Sequence, residues 1–277
     1  MNARAAVAGF AAAALVAGCG SSVDSNVGVA GALPAPSGSL RIALPGSPGT
    51  ADPLTAATAS QELLVAQINE PLEQVLHGPY GDAQRAKGIA LRIRQASGGS
   101  VWHVELRPGI RFQDGSRLDA AAVLANATRW RTTAEGRALL PGLVAADSPR
   151  PGFVRFFLDR PDPAFAKRLG APQLGLVSQR ALSPSSGDAA VMSHSTDTGT
   201  GPFELRQRSS RTVLIARNAA WWGTGLRLGP AIDSVTLTYA DSPAARARLL
   251  REGAVDVAED ISPGDASALE RDPLLDV

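Results

Sequence analysis

The sequence contains a single cysteine, Cys19, among its 277 residues. One thiol cannot form an intrachain disulfide, and it cannot supply a cysteine-based metal site or a catalytic cysteine set. Histidine is also scarce, and His77, His103 and His194 are far apart, without the paired spacing of metal ligands. We therefore predict that the protein binds no metal and uses no cofactor.

Lysine occurs only at Lys87 and Lys167, so arginine carries almost all of the positive charge. The 27 basic residues are balanced by 26 acidic ones, and the formal net charge is +1. The sequence has neither a basic run nor an alternation of basic and aromatic residues, which are the usual marks of a nucleic-acid-binding surface. Composition therefore predicts no nucleic-acid partner.

Catalytic motifs are missing as well. The serine-rich segment 183–186 lacks a Gly-x-Ser-x-Gly elbow. Segment 199–202, Gly-Thr-Gly-Pro, lacks the Lys-Ser/Thr pair of a phosphate-binding loop and precedes a strand-like segment, so we predict a tight turn there. We predict that the protein is not an enzyme and assign no catalytic residue; an exported hydrolase is the enzymatic alternative.

A short apolar segment at the N-terminus predicts export. Residues 5–17 follow Arg4, are uncharged, and are too short to span a membrane, as in the core of a signal peptide. They lead into Val16-Ala17-Gly18-Cys19, which resembles a bacterial lipobox, in which the cysteine is acylated after cleavage before it. We predict a signal peptide at residues 1–18, lipidation of Cys19, and an extracytoplasmic protein anchored by lipid to the cell membrane, on the outer face of the cytoplasmic membrane or in the periplasm.

Residues 19–38 are predicted to form a flexible tether, because they consist mainly of Gly, Ser, Ala, Val and Pro and cannot bury enough apolar surface to fold. The folded part is predicted to begin at Leu40. Residues 40–44 alternate apolar and other side chains as a strand does, and the loop that follows contains Pro45, Gly46 and Ser47.

The rest of the chain mixes strand and helix patterns, which predicts a mixed α/β (α+β) fold. Strands are predicted at 89–94 and 101–106 as a hairpin, at 153–158, at 203–208 and 212–217 as a second hairpin, and around 235–239. Helices are predicted after three capping segments: after Asp119, with Val123, Ala127 and Trp130 on the buried face; after Asp162-Pro163, ending near Gly170; and after Asp241-Ser242-Pro243, ending near Gly253.

A succession of short motifs resembles the family 5 extracellular solute-binding proteins, which are the oligopeptide, dipeptide and nickel receptors of ABC importers. The motifs are, in order, Asp52-Pro53-Leu54, Asn69-Glu70-Pro71-Leu72, the run from Trp102 to Gly115, Gly199-Thr200-Gly201-Pro202-Phe203, Arg217-Asn218 with Trp221-Trp222, Ile232-Asp233-Ser234-Val235, and residues 249–256. Each motif is weak alone, but their order over residues 40–260 is specific.

The resemblance implies a periplasmic-binding-protein fold of type II, of which this chain has the first lobe with an inserted subdomain and largely lacks the second. It implies a core subdomain from residues 39–60 and 185–260, an insertion at 61–184, and the start of a truncated second lobe at 261–277. It places the loop of Pro45, Gly46 and Ser47 at the cleft between the lobes, so we predict ligand contacts there.

The function implied by the resemblance is that of a substrate-binding lipoprotein of an ABC import system. Such a protein delivers a peptide or another small solute to the permease subunits for transmembrane transport. The alternative is a truncated surface lipoprotein that acts as an interaction or structural module without transport. The two differ in whether the chain binds a solute.

Overall fold

The computed structural model describes residues 37–74, 76–77, 83–84, 88–182, 198–226 and 230–275. The predicted signal peptide, Cys19, nearly all of the 19–38 tether, segment 183–186 and His194 lie outside these residues. Among the described residues, no helix has the length and apolar character needed to cross a membrane.

The described chain contains eleven strands and six α-helices, with short 3-10 helices between them. The strands are β1 (Ser39–Leu44), β2 (Leu76–His77), β3 (Ala83–Gln84), β4 (Ala90–Ala96), β5 (Val101–Leu106), β6 (Leu143–Arg150), β7 (Phe153–Leu158), β8 (Phe203–Arg208), β9 (Thr212–Arg217), β10 (Ser234–Tyr239) and β11 (Val257–Ala258). The helices are α1 (Ala59–Ile68), α2 (Ala120–Thr132), α3 (Ala134–Leu139), α4 (Phe165–Arg168), α5 (Pro243–Arg251) and α6 (Pro263–Leu269).

The first large sheet has the strand order β11-β1-β10-β9-β8. Strand β1 is parallel to both β10 and β11, whereas β10, β9 and β8 are antiparallel neighbours. Along β10 every second residue is buried, so Val235, Leu237 and Tyr239 face the same core. Leu64 and Ile68 of α1 belong to that core, which places α1 against this face of the sheet.

The second large sheet is antiparallel, with the order β4-β5-β7-β6. Strand β5 buries Trp102 and Val104, as its alternation predicted, and α2 covers this sheet through contacts with β6. Asp119 caps α2: its side chain accepts a hydrogen bond from the Ala122 amide at 3.0 Å. The predicted hairpin of β4 and β5 and the helix after Asp119 are confirmed.

The two sheets enclose separate hydrophobic clusters. The strands of the first sheet come from residues 39–44 and 203–258, and those of the second from residues 90–158. The chain thus leaves the first sheet after α1, forms the second sheet, and returns to the first sheet through segment 198–202. Where the subdomains begin and end, at residues 60, 184 and 260, stays a prediction.

The motif Asp52-Pro53-Leu54 has a structural explanation. The Asp52 carboxylate accepts a hydrogen bond from the Leu54 amide at 3.1 Å and caps a one-turn 3-10 helix, Pro53–Thr55. The same carboxylate pairs with Arg129 of α2, whose Nη1 lies 2.9 Å from Oδ1. This buried pair joins the segment after β1 to the helix that covers the second sheet.

Some elements differ from the sequence expectation. The short helix predicted to begin at Asp162-Pro163 is α4, a single turn that starts at Phe165; the Asp162 carboxylate accepts a hydrogen bond from the Ala164 amide at 2.8 Å in the turn before it. Helices α1, α3 and α6 and strand β6 had no predicted counterpart. Alanine and serine give α1 and α6 little hydrophobic periodicity, so the sequence pattern is weak.

Candidate functional site

The parallel strands β1, β10 and β11 all end at one edge of the first sheet, which we call the carboxyl edge: residues 45–47, 240–241 and 259–260. Leu44 is paired with Tyr239 at the ends of β1 and β10. The next residues stay connected, because the Ala240 amide donates to the Leu44 carbonyl at 2.9 Å and the Glu259 amide to the Ala43 carbonyl at 3.0 Å. Crevices outside the carboxyl ends of parallel strands are the usual ligand sites of open α/β sheets.

The predicted ligand residues lie on this edge. Pro45 is half-buried, whereas Gly46 and Ser47 are exposed. Gly46 has φ of +79°, in the left-handed region that favours glycine, and a Cβ built there would meet no atom within 4 Å. Glycine is therefore favoured at position 46 by the positive φ of the turn and not by a lack of space for a side chain. The main chain of the loop is accessible to a small molecule at this position.

Arg246 of α5 holds the carboxyl edge together, a role that no sequence pattern indicated. Its side chain is 1% exposed and crosses beneath the ends of β10 and β11. The guanidinium donates to the carbonyl oxygens of Ala240 at 2.7 Å, Glu259 at 2.7 Å and Asp260. A planar guanidinium can satisfy several such acceptors at once, so it fixes where the two chain segments leave the sheet.

The carboxyl edge has both acidic and basic groups near it. Burial raises the pKa of Tyr239 to about 12, with Arg208 opposing the shift and Glu259 adding to it. Burial also raises the pKa of Glu259, and the neighbouring Asp260 adds to that shift. Desolvation lowers the pKa of Arg208. The edge therefore presents acidic and basic groups within a partly desolvated setting, which suits a solute that carries both charges.

An open depression of about 450 Å³ lies beside the carboxyl edge, at the end of the β8–β9 hairpin. Its lining residues are Gln207, Arg208, Ser209, Thr212 and Leu214. The hairpin reaches this edge because β9 runs antiparallel to β10, and the Tyr239 amide donates to the Arg211 carbonyl at 2.8 Å. The depression adds a partly polar surface to the same side of the molecule as the loop of Gly46.

The structure also describes the surroundings of other residues that the sequence analysis named. Segment 199–202 leads into β8 with a bend at Gly201 and Pro202 and not with the tight turn that was predicted, and Gly115 has φ of +82°. His103 lies on the face of β5 opposite Trp102. Its ring packs at a tilt against that of Phe153, with the ring centroids 5.3 Å apart. Trp221 is buried and Trp222 is half-buried. Within the described residues there is no cluster of three or more acidic, histidine or cysteine side chains that could hold a metal ion.

Residues 86–277 match the sequence model of the bacterial extracellular solute-binding proteins, family 5, middle region. This chain belongs to that family. The family consists of extracytoplasmic binding proteins and not of enzymes, and the resemblance inferred from the ordered motifs is confirmed.

Curated relatives include the glutathione-binding protein GsiB. The protein from Escherichia coli strain K12 is 28% identical over 226 residues, which cover 80% of this chain and 42% of GsiB. The GsiB of Salmonella typhi is 26% identical over 232 residues, covering 82% of this chain and 43% of that protein. This family 5 chain thus spans less than half the length of these relatives.

Solved structures of binding proteins have the same fold. The periplasmic binding protein AgaA from A. tumefaciens R10, in complex with agropinic acid, aligns with a TM-score of 0.74 at 21% identity, over 85% of this chain and 46% of that one. DppA from Helicobacter pylori, in complex with the peptide STSA, aligns with a TM-score of 0.72 at 19% identity, over 86% and 50%. The mixed α/β class and the periplasmic-binding-protein fold are therefore confirmed, for about half of such a molecule.

Proposed function

We propose that this family 5 chain is the solute-binding component of an ABC import system and delivers peptides or similar small solutes to permease subunits. Family membership supports the proposal most strongly, because the described relatives bind small solutes and several of them bind peptides. GsiB binds glutathione, which is itself a modified tripeptide, and DppA was solved with a tetrapeptide. A short peptide is the solute class common to these two relatives.

We assign solute contact to the carboxyl edge, with Pro45, Gly46 and Ser47 as the predicted ligand residues. The exposed main chain at Gly46 offers backbone groups that can pair with the amides of a peptide. The acidic Glu259 and Asp260 can attract an ammonium terminus, and Arg208, which lines the depression at the end of the β8–β9 hairpin, can attract a carboxylate. This arrangement of opposite charges matches the ends of a zwitterionic peptide.

We also propose that Cys19 carries a lipid and holds the protein at the outer face of the cytoplasmic membrane or in the periplasm. Two or more acyl chains, at about 0.8 kcal/mol for each buried methylene, give stable anchoring. A flexible segment at 19–38 would let the folded part reach permease subunits in the same membrane.

The proposal is tested by following backbone amide signals while a tetrapeptide or glutathione is added to about 10 mM, a concentration high enough to detect weak binding. We expect shifts concentrated at Gly46, Ser47, Glu259 and Asp260. Shifts confined to another surface would contradict the assigned site. A folded chain with no shifts for any peptide would contradict solute binding and favour the interaction-module alternative.

A further inference from the structure

Glu70 lies at the junction where the chain crosses between the two hydrophobic clusters. It follows α1 by two residues and is 1% exposed. The Leu176 amide donates to its carbonyl oxygen at 2.9 Å, and the neighbouring Ile68 carbonyl accepts from the amide of Gly201 at 2.8 Å. The outgoing segment at 68–70 and the returning segment at 198–202 are thus bonded to each other, with the Glu70 side chain enclosed beside them.

The Glu70 carboxyl accepts a single hydrogen bond from the described residues in this geometry. Trp222 Nε1 donates to Oε2 at 2.7 Å. The other oxygen, Oε1, has no hydrogen-bond partner among the described residues, and the same holds for two buried groups that face the carboxyl, Thr200 Oγ1 and Trp221 Nε1. An ionised carboxylate removed from water normally needs several donors, so this site is poorly matched to a permanent negative charge.

Among the described residues, one charged side chain acts on the carboxyl. This is Arg107, which follows β5 and whose Cζ lies 4.6 Å from the centroid of the Trp222 ring. Segments 172–176 and 198–202 and the 3-10 helix Trp222–Leu226 contain no titratable residue, and the nearest one along the chain is Glu73. Burial raises the pKa of Glu70 to about 7, against the opposing effects of Trp222, Thr200, Trp221 and Arg107.

Backbone packing around the carboxyl leaves little freedom to adapt. A Cβ at Gly199 would lie 1.9 Å from the Ile68 carbonyl oxygen, and one at Gly201 would lie 2.4 Å from the Gln67 carbonyl oxygen. The two crossing segments therefore contact each other main chain to main chain. A carboxylate that draws in water or recruits a new donor at this point must move these segments or the Trp222 side chain.

We propose that Glu70 is a proton-binding site that controls the packing of Trp222 and of segment 198–202 between the two hydrophobic clusters. In the protonated form the acid hydroxyl donates to Thr200 Oγ1, and the other oxygen keeps the indole hydrogen bond. In the ionised form the carboxylate needs a further donor, and the Thr200 hydroxyl, the Trp221 indole or an entering water molecule must supply it. The junction is then tight in mild acid and looser above neutral pH.

A direct measurement is a pH titration of the purified chain labelled with ¹³C at glutamate side-chain carboxyls. One signal, identified by its loss in Glu70→Gln, should titrate near pH 7, which corresponds to a proton affinity about 300-fold above that of an ordinary glutamate. A Glu70 signal that titrates with the exposed glutamates would overturn the proposal. If Glu70→Gln does not fold, the absence of any glutamate signal that titrates near pH 7 in the wild-type chain still overturns the proposal.

Tryptophan fluorescence tests the coupling to Trp222. The wild-type chain should show an emission change with a midpoint near that of the Glu70 signal, and Glu70→Gln, which mimics the neutral acid, should hold the low-pH emission at all pH values. Glu135→Gln, at an exposed position of α3, is the matched control and should keep the transition. In Trp222→Phe the emission change should disappear while the ¹³C titration persists. An unchanged transition in Glu70→Gln or in Trp222→Phe would show that Glu70 does not act on Trp222.

Discussion

Arg246 Nη2 lies 2.9 Å from Asp260 Oδ2, yet the two side chains are in opposite environments, 1% and 72% exposed. The guanidinium is buried under α5, while the carboxylate reaches solvent at the carboxyl edge. Asp260 also has φ of +52°, a left-handed conformation that is uncommon for residues other than glycine. The buried cation thus holds an exposed acid in an unusual backbone conformation, next to the loop of Gly46.

We expect Arg246→Met to destabilise the fold by about 3 kcal/mol or more, because the buried carbonyls of Ala240 and Glu259 lose their charged donor and about 1–3 kcal/mol is lost for each. Urea unfolding followed by circular dichroism measures the change. Arg248→Met on the same helix is the control: Arg248 is 66% exposed, and its removal should stay within about 0.5 kcal/mol. Equal effects for the two variants would refute the anchoring role of Arg246.

Deprotonation of Glu70 should make the free energy of unfolding fall as pH rises. Its pKa is about 7 in the folded protein and 4.5 as an ordinary glutamate, so the folded state binds the proton more tightly. The stabilisation is complete below about pH 4.5, decreases as pH rises, and is lost above about pH 7, a total of about 3 kcal/mol. In Glu70→Gln this slope should be strongly reduced in urea unfolding measured at several pH values; Glu259, whose pKa is also raised, acts in the same direction and remains in both proteins.

Other carboxyls act with the opposite sign and at lower pH. Hydrogen bonds and attraction from Arg155 lower the pKa of Asp147, and those from Arg41 lower the pKa of Asp256. The contributions of these two aspartates to the free energy of unfolding are present above the ordinary pKa of aspartate and are lost in acid. These aspartates titrate below the window between pH 4.5 and 7, so a slope in that window that is as steep in Glu70→Gln as in the wild-type chain would contradict the assignment to Glu70.

Gly46→Asn should weaken solute binding by at least about fivefold, or about 1 kcal/mol, because asparagine tolerates the left-handed turn while its side chain enters the space above the carboxyl edge. Gly152→Asn is the matched control, since Gly152 also has positive φ, +69°, and open space at its Cβ position, but lies in the turn between β6 and β7. Amide-shift titrations with a tetrapeptide compare the two. Equal affinities would remove Gly46 from the site.

The chain should bind di- to pentapeptides only weakly. Enclosing pockets cover roughly 70–90% of a small ligand, whereas the carboxyl edge is an open surface. A micromolar binder gains about −8 kcal/mol in total, and losing half of its contacts while the entropy cost of association remains leaves about millimolar affinity. Calorimetry should therefore detect no binding tighter than about 100 μM. Micromolar binding would show that this half of the molecule is sufficient.

Cys19→Ser should abolish incorporation of labelled fatty acid and release the protein from membranes, because the predicted anchor depends on that thiol alone. The unfolding midpoint should not change, since Cys19 precedes the predicted folded part. Metabolic labelling with fatty acid and membrane fractionation of the serine variant measure the first two effects. Label retained on the variant would refute the lipobox assignment.

Local features of the sequence were sufficient to predict much of the secondary structure. Alternation over 101–106 and 235–239 predicted β5 and β10, and Asp119 and the segment ending at Pro243 predicted where α2 and α5 begin. These signals depend on period and on capping hydrogen bonds between residues only three positions apart, so the sequence contains them directly. The ordered motifs added the family and, with it, the fold.

Which distant residues come together was decided only by the tertiary structure. Asp256 binds the amide of Arg41 at 2.8 Å across 215 positions, and Trp222 binds Glu70 across 152. Arg246 was indistinguishable from the other arginines of its helix, because its role depends on carbonyls at the ends of β10 and β11. Sequence alone determined where β5, β10, α2 and α5 start, because period and capping are local. The burial of a polar group and the identity of its partners follow from packing between segments far apart in the chain, which no local pattern encodes.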